Sequence, residues 1–187
     1  MPGPPGLISA MRKVQPGIES QGAVCWGTFG HLLGLATNQI YLVTCGEKKL
    51  ALDLPDHINL LKTWTLSPTI RPTSHTPADR PGVYVFRWFR ITPGTEDEIV
   101  QLSGDAWPTF ESSFDTCIQG LFVEQVPDPT TMLLITWYRD LSVWEASRHP
   151  PADARDNFIR RHKLTLNALP IATTLMGLAE TGLVSHT

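Results

Sequence analysis

Residues 26–45, WGTFGHLLGLATNQIYLVTC, and residues 119–138, QGLFVEQVPDPTTMLLITWY, align without a gap at an offset of 93. Gly27 falls on Gly120, Phe29 on Phe122, and the run IYLVT at 40–44 on LLITW at 133–137. Each stretch reads as strand, turn-rich connection, strand, which is a hairpin. Similarity at a fixed spacing constrains the architecture more than any local motif does.

The flanks extend the repeat. Upstream of the second hairpin, Pro93-Gly94 opens a helical pattern with Ile99, Leu102, Ala106 and Phe110 on one face. Upstream of the first, Pro5-Gly6 precedes Leu7, Met11 and Val14 at the same spacing. Thr95 with Glu98, and Ser142 with Glu145, fit capping boxes. Pro150 and Pro151 interrupt the helix that follows the second hairpin. It resumes near Asp153 with Ala154, Phe158, His162 and Leu166 on one face. A shorter counterpart is expected around LPDHINLLKTW, and the copies end in the β-like segments TLSPTIRPT and ALPIATTLM.

The order per copy is therefore strand, helix, strand, strand, helix, strand, the split βαβ arrangement of ferredoxin-like domains. The expected fold class is α+β, with antiparallel sheets and helices outside. Residues 1–75 form the first repeat, 82–177 the second, and 178–187 a tail. The second copy opens on the strand VYVFRWFRI, whereas only MPGP precedes the first copy's Pro-Gly. Either the first repeat has lost its opening strand or the chain starts late.

Composition narrows the function. The 187 residues are 42% apolar and 18% charged, as in an ordinary globular protein with a real core. A net charge of −3 with dispersed arginines argues against nucleic acid, which requires a concentrated positive surface. No apolar run reaches the roughly 18 to 20 residues needed to span a bilayer. The N-terminus has no hydrophobic signal region, and it is poorer in Arg and Ser than a mitochondrial presequence. A cytoplasmic protein is expected, with Cys25, Cys45 and Cys117 as buried free thiols. CxxC, HExxH, GxGxxG and the P-loop pattern are absent, so no metal or nucleotide site is predicted.

The segments FRITPGTEDEIVQL, IQGLFVEQ and LLITWYRDLSVWEASR resemble the dimeric α/β barrel superfamily, most closely its NIPSNAP branch. The shared pattern is an Arg-bearing first strand ending in Pro-Gly, then a hairpin, then a strand entering a helix through Trp. It covers most of residues 20–177, more weakly in the first copy. The resemblance implies tandem ferredoxin-like repeats forming a dimeric α/β barrel, whose two sheets face each other across a cavity. The superfamily includes cofactor-independent monooxygenases, isomerases and haem-binding proteins, so the fold alone assigns no reaction.

In such a barrel one face of each strand packs on helices and the other lines the interior. In VYVFRWFRI, Val83, Val85, Arg87, Phe89 and Ile91 suit the helix side, and Tyr84, Phe86, Trp88 and Arg90 the interior. Arg90 among aromatics is a candidate carboxylate or enolate binder, or else it snorkels to solvent or pairs with Asp140 or Glu124. Tyr138 is a candidate hydrogen-bond donor to substrate, and His31 a candidate base at the cavity mouth, against packing and solvated-loop alternatives. Trp88, Phe86, Asn38, Thr136 and Trp137 are candidate ligand-binding residues. The expected activity is binding of a small apolar or aromatic molecule, with cofactor-independent oxygenase or isomerase chemistry. One alternative is a non-catalytic scaffold with a filled barrel, and another is a haem-binding protein. A homo-oligomer is compatible with either barrel reading.

Overall fold

The strand β4 (Val83–Ile91) separates two kinds of environment by simple alternation. Val83, Val85, Phe89 and Ile91 join one core cluster, while Tyr84, Phe86 and Trp88 join another. That is the division expected from the period of two. The computed structural model describes residues 4–177 and places β4 at the centre of a curled, seven-stranded antiparallel sheet. The proposed tail at 178–187 lies outside the described residues.

Along the chain the elements are α1 (Pro4–Ser20), β1 (Val24–Leu33), β2 (Ile40–Cys45), β3 (Leu66–Pro68) and β4. Then come α2 (Glu96–Ser113), β5 (Thr116–Glu124), β6 (Thr131–Tyr138), α3 (Leu141–Ala146), α4 (Ala152–Lys163) and β7 (Thr165–Leu175). The strand order is β2-β1-β7-β4-β6-β5-β3, so strands from residues 1–75 and 82–177 share one sheet. On the convex side α2 buries Ile99, Leu102, Ala106, Trp107 and Phe110, the predicted face. The first helix buries Leu7, Met11, Val14 and Ile18 and covers the β1–β2 end.

The two hairpins are built alike in one detail. A register shift falls between Cys25 and Gly27 in the β1–β2 pair, and between Ile118 and Gly120 in the β5–β6 pair. Each glycine admits the ring of the phenylalanine two residues on. A Cβ would stand 2.7 Å from the Phe29 ring at Gly27, and 2.6 Å from the Phe122 ring at Gly120. Gly27→Ala should therefore cost about 1–3 kcal/mol by overpacking, because Phe29 is fully buried and cannot yield. Chemical denaturation of the variant would measure it. The ungapped alignment needs one correction: Thr28 faces Leu42 while Leu121 faces Leu134, so the second strands correspond at an offset of 92.

Other local expectations are corrected by packing. No helix forms around LPDHINLLKTW. Leu50, Leu52, Leu54 and Ile58 instead lie against α1 as an extended strap. The Gln21 side chain fastens it, accepting from the Ala51 N–H at 3.0 Å and donating to its carbonyl at 2.9 Å. TLSPTIRPT contributes only the three residues of β3. Neither capping box forms: the Thr95 hydroxyl donates to the Thr92 carbonyl, and Asp140, not Ser142, caps α3 by accepting from the Val143 N–H. In α4 the buried residues are Ala154 and Arg161, not His162, and Leu166 is exposed in β7.

Candidate functional site

The concave side of the sheet is where a ligand would sit, and side chains fill it. Tyr41 in β2 and Phe86 in β4 are separated in the sheet by β1 and β7, yet their ring centroids are 4.8 Å apart. Trp88 Nε1 donates to the Tyr41 hydroxyl at 3.1 Å. Trp64, just before β3, stacks on Trp88 at 4.4 Å. Aromatic residues from both free ends of the sheet thus meet over its central strand. Phe29 completes the layer, 4.9 Å from Tyr84 and 5.1 Å from Phe86. Leu133, Ile135, Trp137 and Ile171 are buried in the same cluster.

Residues 69–82 run from β5 back to β1 beside this layer. Thr69 and Arg71 continue the pairing with Leu121, and the Ala78 N–H donates to the Trp26 carbonyl at 2.7 Å. Arg71 holds Glu111 on α2 at 2.8 Å, and Glu111 also accepts from the Ile118 N–H. Trp137 Nε1 donates to the Pro81 carbonyl, and Arg80 lies over the Trp137 ring at 4.9 Å.

The residues singled out from the sequence are not gathered in one place. Phe86, Trp88 and Trp137 are in the inner layer as expected, but as mutually packed rings. Arg90 is exposed at the end of β4, facing Thr131 and Asn167, with no ion pair among the described residues to Asp140 or Glu124. Tyr138 is buried with the helix-side cluster beside Met132 and Leu134, and Thr136 shares its face. Arg90 and Tyr138 thus lie on opposite faces of the sheet. His31 lies within β1, half-buried opposite Thr173, rather than in a loop after a strand. Asn38 is exposed in the β1–β2 connection. The three thiols are free and half-buried, and burial pushes each of them up from its ordinary pKa.

Among the described residues, two clefts open at the surface. One, of about 490 Å³, lies between α1 and the strap, lined by Lys13, Val14 and residues 53–57. The other, of about 210 Å³, lies between α1, Cys25–Thr28, Pro77, Ala78 and Leu175–Gly177. Neither is lined by Arg90, Tyr138, His31 or Trp88. Among the described residues no group of three or more His, Cys, Asp or Glu side chains is placed to hold a metal. No known family model matches this chain, and neither does any curated protein or solved structure.

Sequence reasoning missed one participant. Trp64 lies in a coil with no periodic signal, and only its stacking on Trp88 reveals its place. Tyr84 is buried in the inner layer, and its hydroxyl donates to the Arg80 carbonyl. Burial, opposed by that hydrogen bond, pushes the phenol up to about 12. The unfolded chain releases this proton near its ordinary value of 10.0. Tyr84 therefore contributes stability that is complete below about pH 10 and is lost as pH rises through about 12. Denaturation midpoints measured across this range should fall in the native protein and fall less steeply in Tyr84→Phe.

Proposed function

We propose that this chain is a non-catalytic interaction protein whose curled sheet encloses its own side chains rather than a ligand. The observation that carries this reading is the meeting of Tyr41 and Trp64 on Trp88, from opposite ends of the sheet. Small-molecule sites are usually clefts of a few hundred Å³ with converging polar groups. Here Arg90, Tyr138 and His31 do not converge, and the inner layer is aromatic and packed.

The two halves are best read as ferredoxin-like repeats. The order β7-β4-β6-β5 is that of a split βαβ sheet, and α1 precedes its hairpin as α2 does. The pairings between halves are reciprocal: β7 of the second half pairs with β1 of the first, and β3 of the first pairs with β5 of the second. Kinship with NIPSNAP-like proteins rests on the sequence pattern alone. A reducing, cytoplasmic setting fits the unpaired thiols, and no helix among the described residues is long and apolar enough to cross a membrane.

Titration with a hydroxynaphthoate and with haemin tests the reading, following tryptophan fluorescence and the Soret region. The expected result is no saturable quenching and no Soret shift. Stoichiometric binding of either, lost on replacing Trp88, would favour the small-molecule or haem alternative.

A further inference from the structure

We infer that the gap between β2 and β3 is a docking slot for one extended strand of a partner polypeptide. The inference rests on the repeat reading and names the kind of partner that the interaction protein takes. Three observations carry it.

The first is direction. Every pairing in the sheet is antiparallel, so strand direction alternates along β2-β1-β7-β4-β6-β5-β3. Its two ends, β2 and β3, therefore run the same way. They cannot close on each other in an antiparallel ladder, whereas a single strand antiparallel to both completes an eight-stranded barrel.

The second is correspondence between the halves. If β1, β2 and β3 match β5, β6 and β7, the counterpart of β4 belongs between β2 and β3, because β4 lies between β6 and β7. The strand that fits is then like β4 in pattern, about nine residues long and apolar on both faces. No described segment of this kind is unused, since Leu50, Leu52 and Leu54 are committed to α1.

The third is the state of the edge. Among the described residues β2 has no backbone hydrogen bond to anything but β1. Its sequence, IYLVTC, carries none of the charges or prolines that keep exposed edges from pairing. β3 is only three residues long and ends in Pro68. Trp64, which immediately precedes it, touches Tyr41 at 6.4 Å, so side chains from the two edges already meet. Leu60 and Leu61, 59% and 72% exposed, lead into Trp64 along the chain. Recognition is by main-chain pairing along β2, with specificity from alternate side chains that reach the inner layer and the α1 side.

The test is hydrogen–deuterium exchange of the full chain with a synthetic peptide of residues 82–92, GVYVFRWFRIT, flanked by lysines for solubility. The expected result is at least about tenfold slower exchange across Ile40–Cys45, with Thr131–Tyr138 unchanged. A peptide with proline at its centre should give no protection. Three outcomes would overturn the inference: no protection by the first peptide, equal protection by the proline peptide, or β2 already protected in a sedimenting homodimer without peptide. A small molecule retained in the barrel would remove the filled-interior reading yet leave β2 exchange open, so the two readings fail separately.

Discussion

Replacing Phe86 by Ala is expected to destabilise the protein by about 3–5 kcal/mol, the usual cost of removing a buried aromatic ring and leaving a cavity. Phe86 is 1% exposed on the central strand. Its ring touches Phe29 at 5.1 Å and Tyr41 at 4.8 Å, so its loss unpacks three strands together. For a chain of this length the melting temperature should fall by roughly 10 °C. Arg90→Ala, on the same face but exposed, should stay within about 0.5 kcal/mol of the parent. If Phe86 merely lined an empty site, truncating it would cost little and enlarge the site. Calorimetry of the two variants separates the possibilities.

Arg161→Met is expected to act in the opposite direction and stabilise the fold by about 1–3 kcal/mol. Arg161 is 6% exposed on α4, under α2 and against the helix side of the sheet. Among the described residues no carboxylate lies within ion-pair distance. Its guanidinium donates to the Ser103 hydroxyl at 3.1 Å and lies over Phe158 and Phe89 at 4.8 and 5.2 Å. Burial first, and then the Arg87 cation, pull its pKa down to about 9, against an opposing effect of Tyr138. The guanidinium nonetheless stays charged in the fold, so its burial cost applies across the working pH range. Methionine keeps most of the stem's volume and removes the charge. Ser103 is not orphaned, because its hydroxyl still donates to the Ile99 carbonyl at 2.6 Å. A loss of more than about 1 kcal/mol in urea at neutral pH would show that the guanidinium is favourably held where it lies.

These two residues also mark where sequence was legible and where it was not. Alternation along β4 correctly separated Phe86 from Phe89, because a strand has a period of two and both faces are buried. It also placed Arg87 on the helix side, where it is half-buried. The face of α4 was misread from Ala154, Phe158 and His162. At 3.6 residues per turn a position seven residues on returns within about 20°, while one eight residues on has drifted by about 80°. Arg161 therefore shares the buried face with Ala154, and His162 does not.

Tyr138 was misplaced because the hairpin sequence gives the alternation of β6 but not which face is inner; that is set by pairing with β4. The strap at 46–65 forms no helix, since its backbone is held by Gln21 and Leu50, Leu52 and Leu54 by α1, while Leu60 and Leu61 are exposed. Trp64 depends on long-range stacking and leaves no local trace. The repeated bulge at Gly27 and Gly120 was legible as a glycine two residues before a phenylalanine, although its geometry was not.

On this reading the concave side of the curled sheet holds side chains and no small molecule. Native mass spectrometry of freshly purified protein addresses it most directly. The expected spectrum shows the mass of the 187-residue chain, or of its complex with another polypeptide, with no small organic adduct that survives desalting. A stoichiometric small-molecule adduct that persists in the parent and disappears in Trp88→Ala would contradict it.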